Sequence, residues 1–113
     1  MKHVEKTIFG KKYLLDVADT SITRMCGLSW RSSLSLDGMI FHFPFKSRWP
    51  IWMLGMRFSI YAIWMRGGRP VSEPVFIARP KNIRESLKFH RPAQDVDGLI
   101  EIDAGHFVRI THG

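Results

Sequence analysis

Cysteine is nearly absent: Cys26 is the only one in 113 residues, so no internal disulfide can hold the fold. Stability must then come from burial, which suits a reducing compartment. Long apolar runs are missing too. The most apolar stretch, Gly38–Met65, is broken by Lys46, Arg48 and Arg57 and by Pro44, Pro50 and Gly55. No run of about eighteen uncharged apolar residues survives, which excludes a membrane-spanning helix. The opening MKHVEKTIFGKKY carries a charge every few residues and no apolar secretory core. These absences predict a soluble, cytoplasmic protein with no membrane partner. Repeats, low-complexity tracts, a Gly-rich phosphate loop, a Ser-His-Asp set and an acidic metal cluster are also lacking.

Acidic charge is scarce, with ten Asp and Glu against seventeen Lys and Arg, a net charge of +7. The basic residues run from Lys2 to Arg109 rather than forming one block. That spread favours a generally basic surface over a dedicated nucleic-acid site, which stays as an alternative.

What is present is concentrated. Gly38–Met65 holds three of the four tryptophans, half of the phenylalanines and no acid. It reads as a strand, a Pro-punctuated crossing and a second strand. In Gly38–Phe45, Met39, Phe41 and Phe43 alternate with Ile40 and His42, so both faces are covered and Pro44 ends the strand. Phe58–Met65 repeats the two-sided pattern. Trp49, Ile51, Trp52, Met53, Leu54 and Met56 are too apolar for an exposed loop, so the crossing packs on the sheet, with Trp52 lidding the core and Trp49 the more exposed ring.

Around this core, Val4–Phe9 and Lys12–Val17 predict a hairpin turning at Gly10-Lys11 in type II′ geometry, with Lys12 and Asp16 pointing outward. A short helix capped by Asp19 or Thr20 and stopped by Gly27 follows, then a loop pinned by Trp30, Leu34 and Leu36. Gly67-Gly68 marks a turn, and Val71–Ile77 a strand that Pro74 confines to an edge or bulge. Ala78–Val96 reads as a long loop in preference to a helix with an Asn82/Glu85 capping box. Leu99–Asp103 alternates, with Ile100 and Ile102 inward and Glu101 and Asp103 outward, and HFVRITHG suits one helical turn. The sum is one domain, residues 1–113. It is mainly β, a small antiparallel sandwich or partly closed barrel with one or two short helices.

Few residues announce chemistry. Cys26 falls at the end of a helix on its apolar side, where a thiol is a small core residue rather than a nucleophile. The histidines at 3, 42, 90, 106 and 112 form no close ligand pair, so no metal is expected, and His42 reads as a hydrogen-bonded core histidine. Asp95/Asp97 and Glu101/Asp103 are the paired carboxylates, the latter sharing one strand face.

The order of motifs carries more. Arg24-x-x-Gly27-Leu28 precedes Gly38-Met39-Ile40-Phe41-x-Phe43, then Trp52-Met53, the strand Phe58–Met65, and Leu99-Ile100-Glu101-Ile102-x-Ala104-Gly105. This series resembles domain-of-unknown-function family 192, in its archaeal-type variant, over nearly the whole chain. The resemblance implies a compact, jelly-roll-like β fold and no particular activity. Departures are visible. Leu54, Gly55 and Met56 stand where many members have Lys-Asn-Thr, and Phe58, Ser59, Ile60 and Tyr61 replace Ile-Pro-Leu-Asp, so Tyr61 takes the place of an aspartate. The family's closing Gly-Asp and last strand find no counterpart before Gly113, which predicts an exposed sheet edge able to pair with a second copy.

The sequence therefore points first to a non-enzymatic ligand- or partner-binding module without cofactor. Its expected contact residues are Arg48, Trp49, Trp52 and Arg57 of the crossing, plus Arg24 and Glu101 from the family pattern. Arg24 and Glu101 would form either a pocket or a structural salt bridge. The alternatives are an enzyme with Arg24, His42 and Glu101 within reach of one another, and a basic nucleic-acid-binding protein.

Overall fold

The computed structural model describes residues 3–18, 37–53 and 56–107. Strands β1 (His3–Ile8) and β2 (Lys11–Ala18) form the first hairpin. Ile8 pairs with Lys11, so the two-residue loop is Phe9-Gly10. Both have positive φ, 48° and 89°. This is the type I′ pattern, one residue earlier than the expected type II′ turn at Gly10-Lys11. A phenylalanine in the left-handed region costs about 1–2 kcal/mol, and Phe9 offsets it by packing on the core. Gly67 and Gly68, at φ 60° and 79°, make the same turn between β4 (Ile60–Arg66) and β5 (Arg69–Pro70) without that cost.

The remaining elements are β3 (Gly38–Ser47), β6 (Val75–Ile77), a one-turn helix α1 (Ile83–Ser86) and β7 (Val96–Asp103). All strands join one sheet in the order β1-β2-β3-β7-β4-β5, with β6 also paired to β4. The sheet curls into an open half-barrel. Every neighbour pair is antiparallel except β2–β3, which is parallel. A parallel pair needs a long crossover, here residues 19–36. The expected helix, Arg24, Cys26 and the Trp30 loop all lie there, outside the described residues.

The last described strand in sequence, β7, lies between β3 and β4, and the registers align side chains in rows across four strands. Val17, Ile40, Ile100 and Ile63 form one row. Ala18, Phe41, Leu99 and Trp64 form another on the opposite face. Each face carries its own apolar cluster, as the two-sided patterns of β3 and β4 predicted. The crossing packs on the second face through Trp49, Ile51, Met53, Met56 and Phe58.

Three local expectations change. Pro44 does not end β3, which runs on to Ser47 through an irregularity in its pairing with β7 between His42 and Ser47. The expected Val71–Ile77 strand shortens to β6, Val75–Ile77, because Pro74 cannot donate to a ladder and pairing starts only after it. The stretch expected as a loop contains α1. Asn82 Oδ1 accepts from Glu85 N–H at 2.9 Å and caps the helix, while Glu85 Oε2 reaches past the cap to accept from Lys81 N–H at 2.6 Å, a variation on the capping box. After β7, Ala104–His106 makes a turn closed by His106 N–H to Asp103 O at 2.8 Å, and most of the HFVRITHG segment expected as a helical turn lies outside the described residues.

Gly38 has a steric reason to be glycine. It faces Ile102 of β7, and a Cβ there would collide with the Glu101 carbonyl oxygen. Both partners are backbone in the middle of the sheet, so relief requires parting β3 from β7. Gly38→Ala is predicted to cost about 3 kcal/mol or more, read as a lower urea midpoint. A change within experimental error would show that the two strands are not locked as described.

Candidate functional site

Two places stand out, a basic cleft and a buried polar row. The cleft forms because the crossing is tied to the segment after β6. Ile51 and His90 exchange backbone hydrogen bonds at 2.9 and 2.7 Å. Trp52 stacks on Phe89 with centroids 5.6 Å apart and planes 4° from parallel. Ser59 Oγ accepts from Arg79 N–H at 2.8 Å. Between these ties lies a space of about 380 Å³ lined in part by Met53, Phe76 and Ile77. Arg79, Lys81 and Lys88 line it, with Glu85 and His90. Burial and then the charge of Lys88 lower the pKa of His90, which favours its neutral form.

The polar row crosses the second face. Asp16, Met39, Glu101 and Ala62 lie side by side in register on β2, β3, β7 and β4. Asp16 is 8 % exposed and Glu101 6 %. His3 Nε2 meets Asp16 Oδ1 at 3.0 Å. Both acids were expected to point into solvent, as alternation alone requires. That holds for a strand with one wet face, but β7 is central and β2 is its second neighbour, so both faces are covered. Desolvation raises the Glu101 pKa to about 7. Asp103 is half-buried, and its Oδ1 accepts from Gly105 N–H at 2.8 Å. Ion pairs among the described residues join His3 to Asp16, Lys12 to Glu5 and His106 to Asp37, and none of them involves Glu101.

The other expected site residues scatter. Trp49 and Trp52 exchange roles. Trp49 is half-buried, stacks on Phe43 at 4.9 Å and donates from Nε1 to Phe45 O at 2.8 Å, whereas Trp52 is 40 % exposed. The extended crossing alternates, so Trp49, Ile51 and Met53 turn inward together and Trp52 outward. Arg48 is exposed but donates from Nε to Pro92 O at 3.0 Å, bracing the crossing. Arg57 is exposed and is not among the residues lining the cleft. His42 is exposed, not a core histidine, and its register opposite Gly98 places it on the other face from Glu101. There the missing side chain of Gly98 leaves a second space of about 280 Å³ between His42 and Met65, with Lys6 and Asp97 also lining it. Tyr61, in place of the family's aspartate, stacks on Phe107 at 4.4 Å and against Phe76 at 5.3 Å.

Sequence reasoning missed Arg79, Lys81 and Lys88. A local count would have found them: residues 78–91 hold five basic residues and one acid, more than half of the net +7. Among the described residues, no group of three or more His, Cys, Asp or Glu is placed to hold a metal. No described helix is long and apolar enough to cross a membrane.

Glu101 gives a pH prediction. Its folded pKa, about 7, lies above the ordinary 4.5, so the folded state holds the proton more tightly. Stability is therefore intact below pH 4.5 and falls as pH rises to about 7. Glu101→Gln removes the titration. The stability of the Gln variant relative to the parent should rise by about 3 kcal/mol across that window, measured by urea unfolding at each pH. A pH-independent difference would mean that a cation holds Glu101 ionised, as in the salt bridge with Arg24 expected from sequence.

Comparison with known proteins agrees with this architecture. No curated protein matches the chain. A crystal structure of a candidate transcription regulator from Sinorhizobium meliloti 1021 superposes with a TM-score of 0.71 at 20 % identity, covering 90 % of this chain and 78 % of that one. A protein of unknown function from Novosphingobium aromaticivorans DSM 12444 gives 0.65 at 19 % identity, covering 93 % and 83 %. At such identities the likeness shows the fold alone. The model of domain-of-unknown-function family 192, described as "Uncharacterized ACR", matches residues 4–112, and the chain belongs to that family.

Proposed function

We propose that this protein is a binding module and that its cleft takes a small amphipathic anion, an organic carboxylate or phosphate with an apolar body. The observation that carries this reading is that apolar Met53 and Ile77 line the same space as Arg79, Lys81 and Lys88. The one acid in the cleft, Glu85, already accepts from a backbone N–H, so it opposes an anion less than an uncommitted carboxylate would. The volume is at the small end of ligand pockets. Cations beside apolar side chains bind an acid headgroup while its tail is desolvated.

The enzymatic alternative places a polar pocket near Arg24 and Glu101; Arg24 lies outside the described residues, and His42, on the opposite face from Glu101, cannot join it. Glu101 with Asp16 remains its best support, which a control can address. Octyl phosphate titrated by calorimetry is expected to bind the parent and the Glu101→Gln variant alike. Replacing Arg79 and Lys88 by Ala should weaken it about tenfold or more. Undiminished binding in that double variant, or loss in Glu101→Gln alone, would contradict the reading.

A further inference from the structure

The outer side of the cleft wall is built inside out. α1 buries Ser86, whose hydroxyl donates to Ile83 O at 2.7 Å. Its apolar residues face solvent: Ile83 is 66 % exposed, and Leu87, its C-cap, 48 %. Four residues apart on a helical turn, they share a side. Phe89, 53 % exposed, continues the patch and stacks on Trp52. A helix that faced only water would present the reverse pattern. Exposed Arg79, Lys81, Arg84, Lys88 and Arg91 flank and interleave these apolar residues in the sequence, with Glu85 the one acid among them.

We infer that this surface docks on an anionic lipid bilayer, with Ile83, Leu87 and Phe89 entering the acyl boundary and the five cations meeting lipid phosphates. Aliphatic and aromatic side chains interleaved with cations match the two layers of that interface, apolar below and anionic above. A nucleic acid would satisfy the cations yet offer no counterpart to Ile83 and Leu87, whose side chains have no ring to stack on bases. The absence of a spanning segment does not bear on docking of this kind. Its apolar anchors, Ile83, Leu87 and Phe89, lie outside the cleft lining, whereas Arg79, Lys81 and Lys88 also line the cleft, so the two readings share those cations.

The test is sedimentation of the full chain with vesicles of phosphatidylcholine alone and of phosphatidylcholine containing about one-third phosphatidylglycerol. At least about tenfold tighter association with the anionic vesicles is expected, weakened by salt. Ile83→Asp with Leu87→Asp should abolish it while thermal unfolding and octyl phosphate binding are kept, since both side chains are exposed. Equal association with both vesicle types would overturn the inference, as would none with either. Anionic association that the double variant retains, matched by binding to a single-stranded oligonucleotide, would overturn it in favour of a general polyanion surface.

Discussion

The ladder that β7 makes with β3 on one side and β4 on the other is the constraint on which the rest depends. Six register pairs tie β7 to β4, and Gly38 lets β3 approach so closely that no side chain fits between them. Because β7 follows β3 and β4 in sequence yet sits between them, the middle of the sheet forms only when residues 96–103 arrive. Such pairings have high sequence separation and fold slowly compared with local hairpins. Central placement also means burial on both faces, and that turns Glu101 from a surface acid into a desolvated one.

The functional surface lies where this rigidity ends. Among the described residues β6 is a three-residue strand paired with β4 alone, and the chain beyond it is held to the crossing by an isolated bridge, one aromatic stack and the Ser59–Arg79 hydrogen bond. Those few ties are enough to hold the cleft open between two segments that share little core. The basic charge collects on the segment least committed to packing, where cations keep their hydration until a partner arrives. Binding energy can then be drawn from that surface without disturbing the sheet.

Much of the fold was legible because apolar patterns report burial. The strands of the Gly38–Met65 stretch, the packed crossing and the edge character implied by Pro74 all follow from local chemistry. Topology was not legible, since no local signal says that Val96–Asp103 inserts between two earlier strands. The errors at Asp16 and Glu101 share this root: alternation tells which residues share a face, not whether that face is wet. The exchange of Trp49 and Trp52 was a different kind of error. Trp49, Ile51 and Met53 had the alternation of an extended chain, but the whole crossing was weighed by composition instead of by period.

The candidate site was less legible still. Arg48 and Arg57 drew notice as neighbours of tryptophan, yet one braces a loop and the other stands outside the cleft. Arg79, Lys81 and Lys88 converge only because the segment after β6 folds back across the crossing through His90 and Ile51. The family motifs mark the sheet's close approaches, as Gly38 shows, more than they mark the cleft. The most direct test of the central claim is an amide proton–nitrogen correlation spectrum recorded as octyl phosphate is added. Shifts should concentrate at Met53 and at residues 76–90. Shifts centred on Asp16, Met39 and Glu101, with the cleft silent, would contradict the account.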